Sequence, residues 1–229
     1  MTSKVRTYDE MVEYIKQIGF LPLSKNPIGY ISLEDLTPPY SWHTGNEYDP
    51  WTWKDRVAFE KKAAYARIFN KKPLFVSLEW YPYFLAVYKK PETVSERYES
   101  GTVSNMALRI YELLESNGSL NTHDIKRLLG IRSKEDSYKY EKGIVELQES
   151  MDITVCGASK RVDKFGQPYG WLISEYTTIE QWMGEEALNS ISLIPRSEAL
   201  SKLVSKVKEI APQATENKIL KFLALKKVL

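Results

Sequence analysis

Ile153-Thr154-Val155-Cys156 and Tyr169-Gly170-Trp171-Leu172-Ile173 are two apolar runs separated by a polar stretch carrying Lys160, Arg161, Lys164 and the turn-forming Gly166-Gln167-Pro168. Runs of β-branched and aromatic residues on either side of a glycine-proline turn predict a β-hairpin. What precedes them sets the architecture. Met106, Ala107, Ile110, Leu113 and Leu114 recur at helical spacing toward Gly118, and Asn121 with Asp124 has the spacing of a helix cap ahead of Ile125, Leu128 and Leu129. Tyr140, Ile144, Leu147 and Met151 then line a third helical period that includes Lys134 to Glu149. Three short helices followed by a hairpin is the order of a winged helix, a helix-turn-helix with a β wing.

Outward from this unit the chain is also legible in blocks. Thr7 and Glu10 have capping-box spacing, and Tyr8, Met11, Val12, Ile15 and Ile18 follow at helical intervals up to Gly19. Five prolines between residues 20 and 50 predict a winding, mostly irregular segment. A helical pattern is read from Trp51 to Phe69, closed by Lys71, Lys72 and Pro73, and Trp80-Tyr81-Pro82-Tyr83-Phe84 predicts a turn into a short buried helix. Between Lys89-Lys90-Pro91 and Gly101 the chain is charged and poor in apolar residues, which marks a domain boundary. Thr177 with Glu180 begins a further capped helix; Leu200, Leu203, Val204, Val207 and Ile210 give another, ahead of a basic helix ending at Leu229. The expected fold is therefore α+β and mainly helical, with an aromatic-rich N-terminal helical region (1–100), a winged-helix unit (101–176) and C-terminal helices (177–229).

Composition narrows the function classes. The longest uncharged run, Leu36 to Asn46, has eleven residues and two prolines, far short of a membrane-spanning helix. The first residues contain no apolar stretch of the secretory type, so a cytoplasmic location is expected. One cysteine excludes an internal disulfide, and with two histidines beside it no zinc site of the Cys/His kind is expected. No glycine-rich phosphate loop, serine-hydrolase elbow or metal-binding histidine pair occurs, and no cofactor is expected.

Basic residues in excess point to DNA as the partner class. From Trp51 to Lys72 the residues Lys54, Arg56, Lys61, Lys62, Arg67, Lys71 and Lys72 outnumber Asp55 and Glu60 by five, interleaved with Trp51, Trp53 and other rings. Cations that reach phosphates between aromatic faces that stack bases suit a nucleic-acid surface. The alternative is a helix with a solvated lysine face and rings packed inward. The wing carries Lys160, Arg161 and Lys164 against Asp163, whereas the presumptive recognition segment from Lys134 to Glu149 is net acidic, which opposes phosphate binding. Candidate acid/base groups are His43, Asp49 and Glu79, set in an aromatic-rich stretch. Fourteen of the 28 rings fall between Tyr40 and Tyr88, so a pocket is sought there; hydrogen-bonded loop structure and helix capping are the competing roles.

The combination Trp42-His43-Thr44-Gly45, Asp49-Pro50-Trp51-Thr52-Trp53-Lys54, Ala64-Tyr65-Ala66, Lys72-Pro73 and Ser77-Leu78-Glu79-Trp80-Tyr81-Pro82-Tyr83-Phe84 resembles the AlkZ-related proteins. The C-terminal half is similar too, in Leu147-Gln148, Ile153-Thr154-Val155, Gly170-Trp171 and the segment holding Trp182. These are small relatives of winged-helix DNA glycosylases that excise alkylated purines and unhook interstrand crosslinks. The resemblance implies a winged-helix fold and a DNA-related role. In the glycosylases a glutamine followed two residues later by glutamine or aspartate positions the attacking water. Here Gln17, Gln148, Gln167, Gln181 and Gln213 are followed at that spacing by Gly19, Ser150, Tyr169, Met183 and Thr215, so no residue inherits that role. The expectation is a DNA-binding protein, with an acid/base enzyme or a protein-interaction module as alternatives.

Overall fold

The computed structural model describes residues 5–163, 165–184, 188 and 194–225. It is a mixed α/β structure, 51% helical and 18% strand, so the expectation of mainly helical content holds. Among the described residues the strands form one antiparallel sheet of six, in the order β1 (Phe20–Pro22), β3 (Lys72–Ser77), β2 (Ala63–Phe69), β5 (Ile153–Val162), β6 (Pro168–Thr178), β4 (Leu120–Asn121).

The N-terminal helix α1 (Tyr8–Ile18) is capped by Thr7 and Glu10 as the spacing predicts, and it ends at Gly19. Gly19 has φ +87°, and an added β-carbon would stand 2.8 Å from the Trp80 ring, so turn and packing both require glycine here. After β1 (Phe20–Pro22) come a short helix α2 (Leu33–Leu36) and a 3-10 turn (Pro39–Ser41). The next helix, α3 (Pro50–Phe59), stops ten residues before its expected end. Ala63 to Phe69 is strand β2, paired with β3 (Lys72–Ser77). The correction has a local cause. Asn70 and Lys71 both take positive φ (48° and 62°) between the paired Phe69 and Lys72, the signature of a tight hairpin turn. Lys61, at φ 50°, lies in the bend that separates helix from strand.

On β1, β2 and β3 alternate side chains enter different cores. Phe20, Ala64, Ala66, Leu74 and Val76 face α4 (Tyr81–Tyr88), α10 (Arg196–Ile210) and α11 (Glu216–Phe222). Leu21, Ala63, Tyr65 and Phe75 face α1 and α3. The helix expected after Trp80 is thus α4, whereas the C-terminal helix expected to reach Leu229 falls partly outside the described residues.

Four further helices make the third core. They are α5 (Val94–Glu99), α6 (Asn105–Asn117), α7 (Thr122–Leu128) and α8 (Lys134–Glu149), gathered around Ala107, Ile110, Ile125, Tyr140 and Ile144. Gly143 brings α8 against α6, since a β-carbon there would lie 3.1 Å from the Ala107 amide nitrogen and from Ile110 Cδ1. The two-residue strand β4 (Leu120–Asn121) precedes α7. The expected hairpin is present and longer than read, as β5 (Ile153–Val162) and β6 (Pro168–Thr178). Thr178, not Thr177, caps the following α9 (Ile179–Met183): its hydroxyl accepts from the Gln181 amide, while the Thr177 hydroxyl donates to the Gln181 side chain.

Candidate nucleic-acid interface

Among the described residues, β5 joins the rest of the sheet only at Tyr65↔Val155 and β6 joins β4 only at Leu120↔Tyr176 and Asn121↔Glu175. Past Ser159 the two strands pair only with each other, ending in Arg161↔Tyr169 and Val162↔Pro168. The hairpin is therefore an arm. Lys160 and Arg161 are exposed on it. Phe165, Tyr169 and Leu172 are 74%, 50% and 49% exposed, far more than a structural role needs. Asp163 closes the turn, its carboxylate accepting from the amides of Phe165 (2.8 Å) and Gln167 (2.9 Å). Lys164, the third expected cation of this arm, lies outside the described residues. Phe165, Tyr169 and Leu172 were not singled out by sequence reading. The available signal was large apolar side chains around a turn glycine, where solvent-facing positions are ordinarily polar.

The other expected basic surface is divided by the bend after α3. Trp53 is 2% exposed and its indole donates to the Glu47 carbonyl (2.8 Å), so it is core. Lys54 is buried and ion-paired with Asp55, whose other oxygen accepts from Ser174 Oγ at 3.1 Å. Arg56 lies 3.8 Å over the Tyr8 ring and pairs with Glu60 at 2.7 Å. The Arg56 hydrogen bond foremost, with help from Tyr8, holds the Glu60 carboxyl below its ordinary range, while burial foremost and then that of Glu60 raise the Tyr8 phenol. Lys61 donates to the Trp182 carbonyl at 2.7 Å. Lys62 is exposed beyond the end of α3, whereas exposed Lys71 and Lys72 sit at the β2–β3 turn, where the Lys71 amide donates to Glu149. Of the rings in this stretch, Trp51 is 44% and Phe59 75% exposed, while Trp53, Tyr65 and Phe69 are buried. On α7 and α8, Lys126 pairs with Glu141 (3.0 Å) and Lys139 with Glu135 (2.7 Å), so much of the cationic character of that surface is internally matched.

The three candidate acid/base groups are not brought together. Asp49 is 1% exposed and caps α3, accepting backbone amides from His43 (3.0 Å), Gly45 (2.9 Å) and Trp51 (2.9 Å). His43 is exposed at φ 61°, its ring centroid 5.1 Å from that of Trp51. Glu79 stands on the opposite face of the sheet, at the mouth of a shallow groove between α4 and α10 beside Trp80, Lys202 and Lys206. A broad concavity of about 1430 Å³ is bounded by Thr7, Lys25, Tyr40, Tyr48 and the buried Trp53 among others, and none of the three candidates lines it.

Among the described residues, no group of three His, Cys, Asp or Glu side chains is disposed to hold a metal, and no helix is long and apolar enough to cross a membrane. In class the molecule is a mixed α/β protein, an antiparallel sheet with helical cores on both faces and a projecting basic hairpin. Residues 5–224 match the family described as AlkZ related, nearly the whole chain, and the protein belongs to that family. No curated protein and no solved structure matches the chain.

Proposed function

We propose that the protein is a DNA-binding member of the AlkZ-related family, in which α6, α7, α8 and the β5–β6 hairpin act as a winged-helix unit and the arm binds phosphates. The observation that carries this is the arm itself: Lys160 and Arg161 exposed beside Phe165, Tyr169 and Leu172 on a hairpin with no other strand neighbour at that end. Phosphate binding by such cations releases counterions, which makes affinity fall with salt. The acidic balance of α8 favours the arm over the third helix as the principal DNA-binding element. The family relation supports a DNA-related role, and the missing Gln-x-Gln or Gln-x-Asp pair favours binding without base excision.

The test is the salt dependence of duplex binding. Replacing Lys160, Arg161 and Lys164 with alanine lowers the slope of log K against log salt by about 0.9 for each phosphate that the arm no longer neutralises. An unchanged slope removes the arm from the interface.

A further inference from the structure

The hairpin arm and the loop before α3 face the same end of the molecule. Phe59, at the C-terminus of α3, lies against Gly157, where a β-carbon would stand 3.4 Å from its ring. One turn earlier, Asp55 is bonded to Ser174, which is paired with Ala158. The packing thus advances from Gly157 toward the free end of the hairpin as α3 is followed toward its N-terminus. Trp51 lies one further turn along, on the same helix face as Asp55. This puts Trp51 and the loop residue His43 on the side of the basic arm.

Here the two rings are built as a fixed, outward platform. His43 is held at φ 61° by the Asp49 carboxylate, and its ring leans on Trp51 at 5.1 Å with an interplanar angle of 49°. Behind Trp51, the Lys54 ammonium sits 4.9 Å from the indole centroid and is in turn ion-paired with buried Asp55. A cation against the ring and a carboxylate clamp under the loop fix two rings whose outer surfaces remain open. A single exposed tryptophan is common, but a rigid Trp–His pair next to a cationic arm matches a flat, π-rich ligand joined to phosphate.

We propose that His43 and Trp51 form a stacking platform for an unpaired nucleobase, extrahelical or single-stranded, whose flanking phosphates are held by the arm. This assignment rests on the DNA-binding reading above and adds the form of DNA preferred. It makes His43 a stacking residue, not an acid or base. Stacking on an aromatic side chain is tolerant of base identity, so the platform reads unpaired structure more than sequence.

The experiment uses the full chain and two duplexes of equal length, one fully paired and one with a single unpaired 2-aminopurine. The expected result is about tenfold tighter binding of the bulged duplex, together with quenching of 2-aminopurine fluorescence. Trp51→Leu and His43→Gly, the latter suited to the positive φ, abolish the preference and the quenching. They leave paired-duplex affinity and its salt slope in place, with far-ultraviolet circular dichroism confirming the fold. Equal affinity for the two duplexes, or a preference that survives both substitutions, overturns the platform alone. Failure to bind either duplex at low salt overturns the DNA-binding reading beneath it.

Discussion

The guanidinium of Arg97 and the carboxylate of Asp152 meet at 2.6 Å inside the protein, with side chains 8% and 5% exposed. Arg97 belongs to α5 and Asp152 immediately precedes β5, so the pair ties the segment after α4 to the root of the hairpin. Asp152 is bonded to Ser150 and has Lys89 at 3.9 Å; Arg97 Nε reaches the Thr93 carbonyl at 3.4 Å. Removing the carboxylate leaves a buried cation with one weak acceptor. Removing the guanidinium leaves a carboxylate that retains Ser150 and Lys89. Asp152→Ala is therefore expected to cost about 3–5 kcal/mol and Arg97→Met less, while Arg97→Met/Asp152→Leu recovers part of the deficit. Urea titrations of the three variants measure the order; equal costs for both single variants contradict it.

Two glycines make a second, steric prediction. Gly19→Ala places a methyl 2.8 Å from the Trp80 indole at a φ that L residues avoid, and Gly143→Leu drives a branched chain into the α6 backbone. Each is expected to lower stability by about 1–3 kcal/mol or more, with Gly143→Leu the worse because backbone, unlike an indole, has nowhere to move. For a chain of this size each kcal/mol corresponds to a fall in Tm of roughly 2–4 °C, read by thermal circular dichroism.

How much of this was legible follows from what each element depends on. The capping spacings of Thr7 with Glu10 and Asn121 with Asp124 are local chemistry, and the helices start where they say. α8 spans the Lys134 to Glu149 segment read as the recognition helix, but Met151, read into the same helical period, lies past its end at φ 52°. Ala63 to Phe69 failed because β2 is buried on both faces, so it lacks the polar alternation that announces a strand and its alanines suit a helix equally. Only Asn70, a turn former, hinted at the hairpin. Lys54 counted as a cation for DNA because charge counting is blind to Asp55 neutralising it in the interior. The charged stretch near Arg97 marks a domain boundary in the sequence, and its ion pair with Asp152, 55 residues away, is invisible to a local reading. His43 and Asp49 share one stretch of sequence and meet through an amide–carboxylate hydrogen bond, whereas Glu79, grouped with them by the density of rings, lies across the sheet.

Cys156 is expected to be inert. Burial, with Glu175 adding to it, pushes its thiol up to about 12. An unfolded cysteine ionises near about 8.5. Since the thiolate is the nucleophile, alkylation by iodoacetamide at pH 8 is expected to be at least about a hundredfold slower in the folded protein than after denaturation. The folded pKa is raised, so this group's contribution to stability is complete below about pH 8.5 and is lost as pH climbs toward 12. Labelling at comparable rates with and without denaturant contradicts the prediction.

The last expectation concerns chemistry at the purine. A general base must come within about 2.6–3.2 Å of the water it activates, directly or through one intermediary. Asp49 has both carboxylate oxygens committed to the amides of His43, Gly45 and Trp51, and it is 1% exposed; Glu79 is open to solvent but across the sheet. The two cannot flank one sugar, and neither is paired with a glutamine as in the glycosylases the family is related to. Excess protein incubated with a duplex holding one alkylated purine is therefore expected to give no strand break after alkali. Asp49→Ala instead removes a helix cap and the loop clamp, costing about 1–2 kcal/mol of stability and, if His43 and Trp51 stack a base, the preference for the bulged duplex as well. Strand breaks made by the wild type and abolished in Glu79→Gln would assign that exposed carboxylate a reacting role and move the active centre to the α4–α10 groove.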